Sequence, residues 1–88
     1  MKTQHNTRQT SIWAFQSLTD LTARQTQVYD LISRYGVVCN AQIAIALQVP
    51  INSITPRTNE LVAKGVVTEA FKAKWEPTNK TVIYWRIK

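Results

Sequence analysis

The run Gln48-Val49-Pro50-Ile51-Asn52-Ser53-Ile54-Thr55-Pro56-Arg57-Thr58-Asn59-Glu60-Leu61-Val62-Ala63-Lys64-Gly65 constrains this chain more than any other part of it. Pro50 cannot continue a helix arriving from its N-terminal side, and Asn52 is a strong N-cap type. Lys64-Gly65 joins a cationic last turn to a residue that accepts left-handed backbone. The spacing predicts a tight turn feeding a helix from about Ser53 to Lys64. On a period of 3.6, Ile54, Thr58, Leu61 and Val62 share one side, which should face a core. Asn52, Pro56, Asn59 and Ala63 centre the other side, Ser53, Thr55 and Glu60 flank it, and Arg57 sits near the boundary. A solvated helix face normally carries more charge, whereas small amides and hydroxyls can reach the floor of a DNA groove and hydrogen-bond base edges. Taken alone, the stretch fits a plain polar helix as well as a recognition helix, so the flanking segments must decide.

Before the turn, Thr22-Ala23-Arg24-Gln25 has the form of a capping box and opens a helix reaching about Tyr35. Val28, Leu31, Ile32 and Tyr35 are its expected buried stripe and Gly36 its stop. Val37-Val38-Cys39 is long enough only for a stub of strand. Asn40 should cap a second helix, Ala41 to about Leu47, that buries Ile43, Ala44 and Leu47 and turns Ile45 outward. The short interval from Leu47 to Ser53 suits two helices crossing steeply.

After Gly65 the period changes to two. Val66 to Trp75 and Thr81 to Ile87 read as the strands of a hairpin, joined by Glu76-Pro77-Thr78-Asn79-Lys80. Ile83, Trp85 and Ile87 form one face of the second strand, and Val67, Phe71 and Trp75 one face of the first. These apolar faces should cover the helices and leave Lys72, Lys74 and Lys80 near the projecting end. Glu60 is expected to pair with Lys64 one turn on.

At the other end, Met1 to Gln9 is polar and aperiodic. Ser11 to Leu18 then brings in Ile12, Trp13 and Phe15, which should form a short helical turn packed on the domain or on a second copy of it. Packing in cis is the simpler arrangement. Residues 1–17 thus read as a basic arm with a short apolar helical turn, and residues 18–88 as one domain.

Eleven Lys and Arg against five Asp and Glu give the 88-residue chain a net charge of +6, which favours a polyanionic partner. The excess is uneven: +2 over residues 1–18, +1 over 19–65 and +3 over 66–88. One cysteine, Cys39, excludes an internal disulfide framework, and no Cys/His spacing suits a metal. No apolar run approaches the roughly 18 residues of a membrane span, and the N-terminus is too polar for a signal peptide, so a cytoplasmic location is expected. The lone His5 lies in the polar tail, Asp20, Asp30, Glu60, Glu69 and Glu76 lie on separate elements, and there is no Gly-rich phosphate loop. Catalysis is therefore not expected, and neither a cofactor nor a metal is called for.

The order helix, strand stub, helix, turn, helix, hairpin resembles the winged helix-turn-helix family from about Leu18 to Lys88. The likeness is carried by Asn40-Ala41-Gln42-Ile43-Ala44-Ile45-Ala46-Leu47 and by Ile54-Thr55-Pro56-Arg57-Thr58-Asn59-Glu60-Leu61-Val62-Ala63-Lys64-Gly65-Val66-Val67. The second block is similar to the family's recurrent ending of the recognition helix. The hairpin with Pro77-Thr78-Asn79-Lys80 is similar to that of small phage-encoded or prophage-encoded members, with Asn79, which tolerates left-handed backbone, where glycine is more usual.

The resemblance implies an α+β fold, mostly α, with three helices, a C-terminal two-stranded wing and the short N-terminal helical turn. It also implies sequence-selective binding of double-stranded DNA by a small phage-type transcriptional regulator. Asn52, Ser53, Thr55 and Asn59 become the expected groove-facing groups, Arg57 a phosphate or base-edge contact, and Lys72, Lys74 and Lys80 the wing cations, with Lys2 and Arg8 adding to the attraction. So few base-reading groups per copy call for a homodimer, or for binding beside another protein, with Trp13, Phe15 and Ile45 as the candidate dimer contacts. The competing readings are a protein-docking winged helix, with Trp13, Phe15, Ile45, Trp75 and Trp85 as anchors, and an excisionase-like or replication accessory factor.

Overall fold

A computed structural model describes residues 20–88. The N-terminal arm and the helical turn expected around Trp13 and Phe15 lie outside the described residues. Helix α1 (Ala23–Tyr35) begins as its sequence dictates: the Thr22 hydroxyl accepts from the Gln25 backbone N–H at 3.2 Å, and the Thr22 N–H donates to Gln25 Oε1 at 3.0 Å. Gly36 ends it at φ +82°. Val28 and Ile32 are fully buried and Leu31 packs at the margin of the core. Tyr35, expected in that stripe, is instead 53% exposed. The chain reverses one residue later, so no following element lies over the ring.

Strand β1 (Val38–Cys39) and helix α2 (Asn40–Leu47) follow without a loop. Asn40 is the first residue of α2, not its cap. That position belongs to Cys39, whose backbone N–H is taken up by Gln42 Oε1 at 3.1 Å. Ile43 and Ala44 are buried, Leu47 is half-buried, and Ile45 points outward at 67% exposure, as its phase requires.

Helix α3 (Thr55–Ala63) starts later than its sequence suggests, after a 3₁₀ turn over Ile51–Ser53. A helix capped by Asn52 would need the residue at 56 to donate the first intrahelical bond to the Asn52 carbonyl, and Pro56 has no N–H. The chain substitutes tighter bonds, Ser53 N to Pro50 O and Ile54 N to Ile51 O, both at 2.9 Å. The regular ladder then opens with Thr58 N to Ile54 O at 3.0 Å.

Ile54, Thr58 and Leu61 are fully buried, and the Thr58 hydroxyl is satisfied by the Thr55 carbonyl at 3.0 Å. Val62 is not part of that face. It lies about 80° around the helix from Ile54 and stays 38% exposed. Gly65, at φ +79°, closes α3: its N–H meets Val62 O at 2.9 Å and the Val66 N–H meets Leu61 O at 3.2 Å, the paired bonds of a Schellman motif. Buried Val66 then leads directly into the sheet.

Strands β2 (Val67–Trp75) and β3 (Lys80–Ile87) form the hairpin, with Trp75 opposite Lys80 and Asn79 at φ +59° in the connection. The wing is two-stranded as expected, and the expected strand stub joins it to make a sheet of three strands. β1 pairs antiparallel with β3, Val38 opposite Trp85 and Cys39 opposite Tyr84, giving the order β1-β3-β2.

A β-bulge at Ala70 interrupts the hairpin: Glu69 lies opposite Trp85 but Phe71 lies opposite Tyr84. One extra residue reverses the alternation. Val67, across from Ile87, is on the core side, whereas Phe71 and Trp75, expected to share that face, are on the other. Phe71 is accordingly 49% exposed and stacks on Tyr84 with ring centroids 5.1 Å apart. A single core of Val28, Ile32, Val38, Ile43, Ala44, Ile54, Leu61, Val66, Val67 and Trp85 joins the three helices to the sheet.

Candidate nucleic-acid interface

The expected recognition residues divide between two flanks of α3. Thr55 and Asn59 are exposed and border a notch of about 350 Å³ whose far wall is Thr81, Ile83 and Trp85 of β3. Directly opposite residues of an antiparallel pair share a face, and Lys72 is opposite Ile83 and Lys74 opposite Thr81. The bulge therefore brings both lysines to the notch side of the sheet, one strand beyond the β3 residues that line the notch itself. Lys80, opposite Trp75, belongs to the back of the hairpin tip. Asn52 and Ser53 are exposed on the 3₁₀ turn, and with Arg57 they border a second recess on the α1 side of α3.

The outward surface of α3 carries no charge along its middle: Thr55, Pro56, Asn59, Val62 and Ala63 are exposed. Charge gathers at its edges. Glu60 pairs with Arg57 rather than with Lys64: Arg57 Nη2 donates to Glu60 Oε2 at 3.0 Å, and Arg57 Nε lies 3.0 Å from Oε1 without the alignment of a hydrogen bond. The cause lies outside α3. Gln25, buried in the first turn of α1, donates its Nε2 to Glu60 Oε1 at 2.6 Å and holds the carboxylate on the Arg57 side. Arg57 thus has a defined direction but is already partnered. Lys72, Lys74 and Lys80 have no carboxylate within ion-pair distance among the described residues.

Asn40 is the residue whose part in this surface its sequence position conceals. Its Oδ1 accepts from Trp85 Nε1 at 3.1 Å, and its Nδ2 donates to Thr55 Oγ1 at 3.4 Å. One amide therefore ties the central strand to the first residue of α3 and sets the two walls of the notch against each other. Its small polar side chain at a helix start reads locally as a cap, and only an indole partner 45 residues away shows otherwise. Behind the sheet, desolvation and then the adjacent Cys39 thiol hold the Tyr84 phenol above its ordinary value.

No protein-family model matches this sequence, and no curated protein matches it either. Solved structures do. The chain is similar to the multiple antibiotic resistance repressor MarR, with a TM-score of 0.63 and 21% identity over 97% of this chain and 59% of that one. It is also similar to FabT of Streptococcus pneumoniae, solved in complex with DNA, with a TM-score of 0.62 and 18% identity over 100% of this chain and 66% of that one. The chain spans less than two thirds of either neighbour's length. With the element order above, these likenesses establish a winged helix-turn-helix fold.

Proposed function

We propose that this chain binds double-stranded DNA, with α3 in the major groove and the β2–β3 hairpin as a wing on the flanking backbone, and that it acts as a small phage-type transcriptional regulator in the cytoplasm. The observation that carries the reading is the pairing of surfaces. An uncharged face of amide and hydroxyl groups stands across a notch from a hairpin whose bulge turns Lys72 and Lys74, without a carboxylate partner among the described residues, to the same side of the sheet. The FabT neighbour, to which this chain is similar in fold, was crystallised in complex with DNA.

On this reading the two walls do different work. Lys72 and Lys74 beside the groove, Lys80 at the tip and Arg57 at the far edge supply phosphate attraction, while Asn59 and Asn52 pair with adenine N6 and N7 at about 1–3 kcal/mol of discrimination each. Ser53 and Thr55 add hydroxyl contacts. Four cations per copy imply a log–log salt slope of roughly −3.6, about a hundredfold loss of affinity per copy between 50 and 200 mM salt. Two copies joined through Ile45, Trp13 and Phe15 would double the number of base contacts, with α3 of each partner one helical turn apart on the duplex. Neither catalysis nor a cofactor enters this function.

The test is fluorescence anisotropy with duplexes selected from a random pool, at several salt concentrations. Lys74→Ala should weaken every duplex alike and reduce the salt slope by about one. Asn59→Ala should leave the slope unchanged and flatten the preference among duplexes. Indifference to both substitutions would remove this surface from consideration and favour docking of a protein partner instead.

A further inference from the structure

Arg24 has no part in the surface so far described, yet it lies where local helix energetics disfavour it. It occupies the first turn of α1, which holds no acidic residue, and a cation there opposes the helix dipole. Among the described residues it has no carboxylate within ion-pair distance and no side-chain hydrogen bond. Its half-buried side chain lines a recess of about 270 Å³ with Asn52, Ser53, Pro56 and Arg57. No carboxylate lines that recess.

The neighbouring bonds explain why the two arginines are kept close. Gln25 follows Arg24 and is aimed by the Thr22 capping box at Glu60, and Glu60 holds Arg57. The register that places Gln25 against α3 therefore places Arg24 beside Arg57. In the free protein this juxtaposition is electrostatically unfavourable, because only Arg57 has a counter-charge. An anion in the recess would reverse the balance. Its neighbours there include the two planar guanidinium groups of Arg24 and Arg57 and the Ser53 hydroxyl, all of which donate to oxyanions.

We infer that Arg24 and Arg57 form a clamp for one backbone phosphodiester of the bound duplex, on the flank of α3 opposite the wing. The inference rests on the DNA-binding reading and deepens it. A major groove is bordered by two phosphate backbones. The wing lysines reach one, and the clamp takes the other, so α3 is held from both sides and its depth and register in the groove are set by the body of the domain. Helix α1, otherwise a support packed against α3 through Gln25, Val28 and Ile32, becomes a contact element. The chemistry of a phosphodiester suits the recess: a single negative charge shared by two free oxygens, one for each guanidinium.

The experiment uses the full chain and compares wild type, R24Q and R57Q on a set of duplexes in which one phosphate at a time is replaced by an uncharged methylphosphonate. For wild type, one position outside the wing footprint should lower affinity by about fivefold to tenfold, and R24Q should be insensitive to that same replacement. R24Q should also reduce the log–log salt slope by about one, equally for preferred and non-preferred duplexes. Its thermal midpoint should hold or rise slightly, since an unfavourable helix-dipole charge is gone, whereas a merely structural arginine would lower it on removal.

An unchanged slope and an R24Q response at every phosphate equal to wild type would overturn the clamp while leaving DNA binding intact. If wild type shows no salt-dependent duplex binding, the functional reading itself fails. Titration with inorganic phosphate, followed through the amide resonances of Asn52 and Ser53, then separates the sources: saturation by free phosphate without duplex binding overturns a role on DNA.

Discussion

The two walls of the notch are built on opposite principles. Helix α3 is held from within: Ile54, Thr58 and Leu61 are fully buried, and its surface is left uncharged and exact in position. The hairpin is held chiefly by its own ladder. Val67 and Trp85 anchor its base in the core, but beyond Ala70 its side chains are exposed or half-buried and its charges point where the strand register sends them. On the proposed function, a wall placed by packing can discriminate, because a small error in the position of Asn59 would break the directional bond proposed between it and a base. A wall placed by backbone pairing and covered with lysine can only attract, since a flexible ammonium needs no fixed geometry to meet a phosphate.

The largest effect should come from the packed wall. Leu61→Ala removes a fully buried side chain from the centre of the core and should cost about 2–5 kcal/mol in urea unfolding. In an 88-residue chain that is a large share of the total stability. Lys74→Ala, on the exposed wall, should change stability by no more than about 0.5 kcal/mol. Equal losses at the two sites would show that the walls are not built differently after all.

Next in size is Asn40→Ala, which cuts the tie between the walls. It leaves Trp85 Nε1 without its acceptor and frees Thr55 from its 3.4 Å amide partner. The expected cost is about 1–3 kcal/mol of stability. Sequence preference should fall more than salt dependence, because the helix loses its alignment with the wing but no cation is lost. Asn40→Asp keeps the acceptor for Trp85 and discards the donor to Thr55, so it separates the two bonds in the same pair of measurements.

A smaller effect is expected from deleting Ala70. Phe71 to Trp75 keep the cross-strand partners they have now, and Lys72 and Lys74 keep their side of the sheet, but the bend that a bulge imposes disappears. Stability should move by about 0.5 kcal/mol or less. Duplex affinity should fall by up to about tenfold, or 1.4 kcal/mol, if the bend is what directs the wing at the backbone. Unaltered affinity would show that only the side on which the lysines stand matters.

Features encoded over a few residues were legible in the sequence. The Thr22-Gln25 box, the stops at Gly36 and Gly65, the outward phase of Ile45 and the change from period 3.6 to period 2 each depend on neighbours within about one turn, and each appears in the structure. The later start of α3 was also encoded locally, but two signals competed there: the cap preference of Asn52 and the missing N–H of Pro56, and the second prevailed.

Tyr35 at the end of α1 and Val62, off the buried face of α3, were misplaced within their own helices, whereas three other features were misplaced because their partners are distant. Glu60 takes its orientation from Gln25, 35 residues away, Asn40 serves Trp85 rather than its own helix, and the Ala70 bulge exists only as a mismatch between two strands. Of the candidate site, the residue types on α3 were readable. Which of them face the wing and which face α1 was not, because that division follows from how α1 and β3 pack on either side.

The smallest expected effect, and the one that tests whether Arg57 belongs with the attracting wall or the discriminating one, is that of Glu60→Gln. The substitution removes the charge opposite Arg57 but leaves a side-chain oxygen for Gln25 Nε2, so the contact between α1 and α3 survives. A partly exposed ion pair of this kind contributes up to about 1 kcal/mol, and the stability loss should stay within that limit. Two effects on DNA binding then act in the same direction. A carboxylate that repels phosphate is gone, and the Nε and Nη2 that Glu60 held become available to the backbone as well, so affinity at low salt should rise by about twofold to fivefold with a steeper salt slope. If Arg57 reads a base instead, Glu60 is the group that directs it, and releasing the guanidinium should blunt sequence preference with no gain in affinity. The two slopes, measured on preferred and non-preferred duplexes, distinguish these outcomes because screening by salt acts on charge and hardly at all on a directed hydrogen bond.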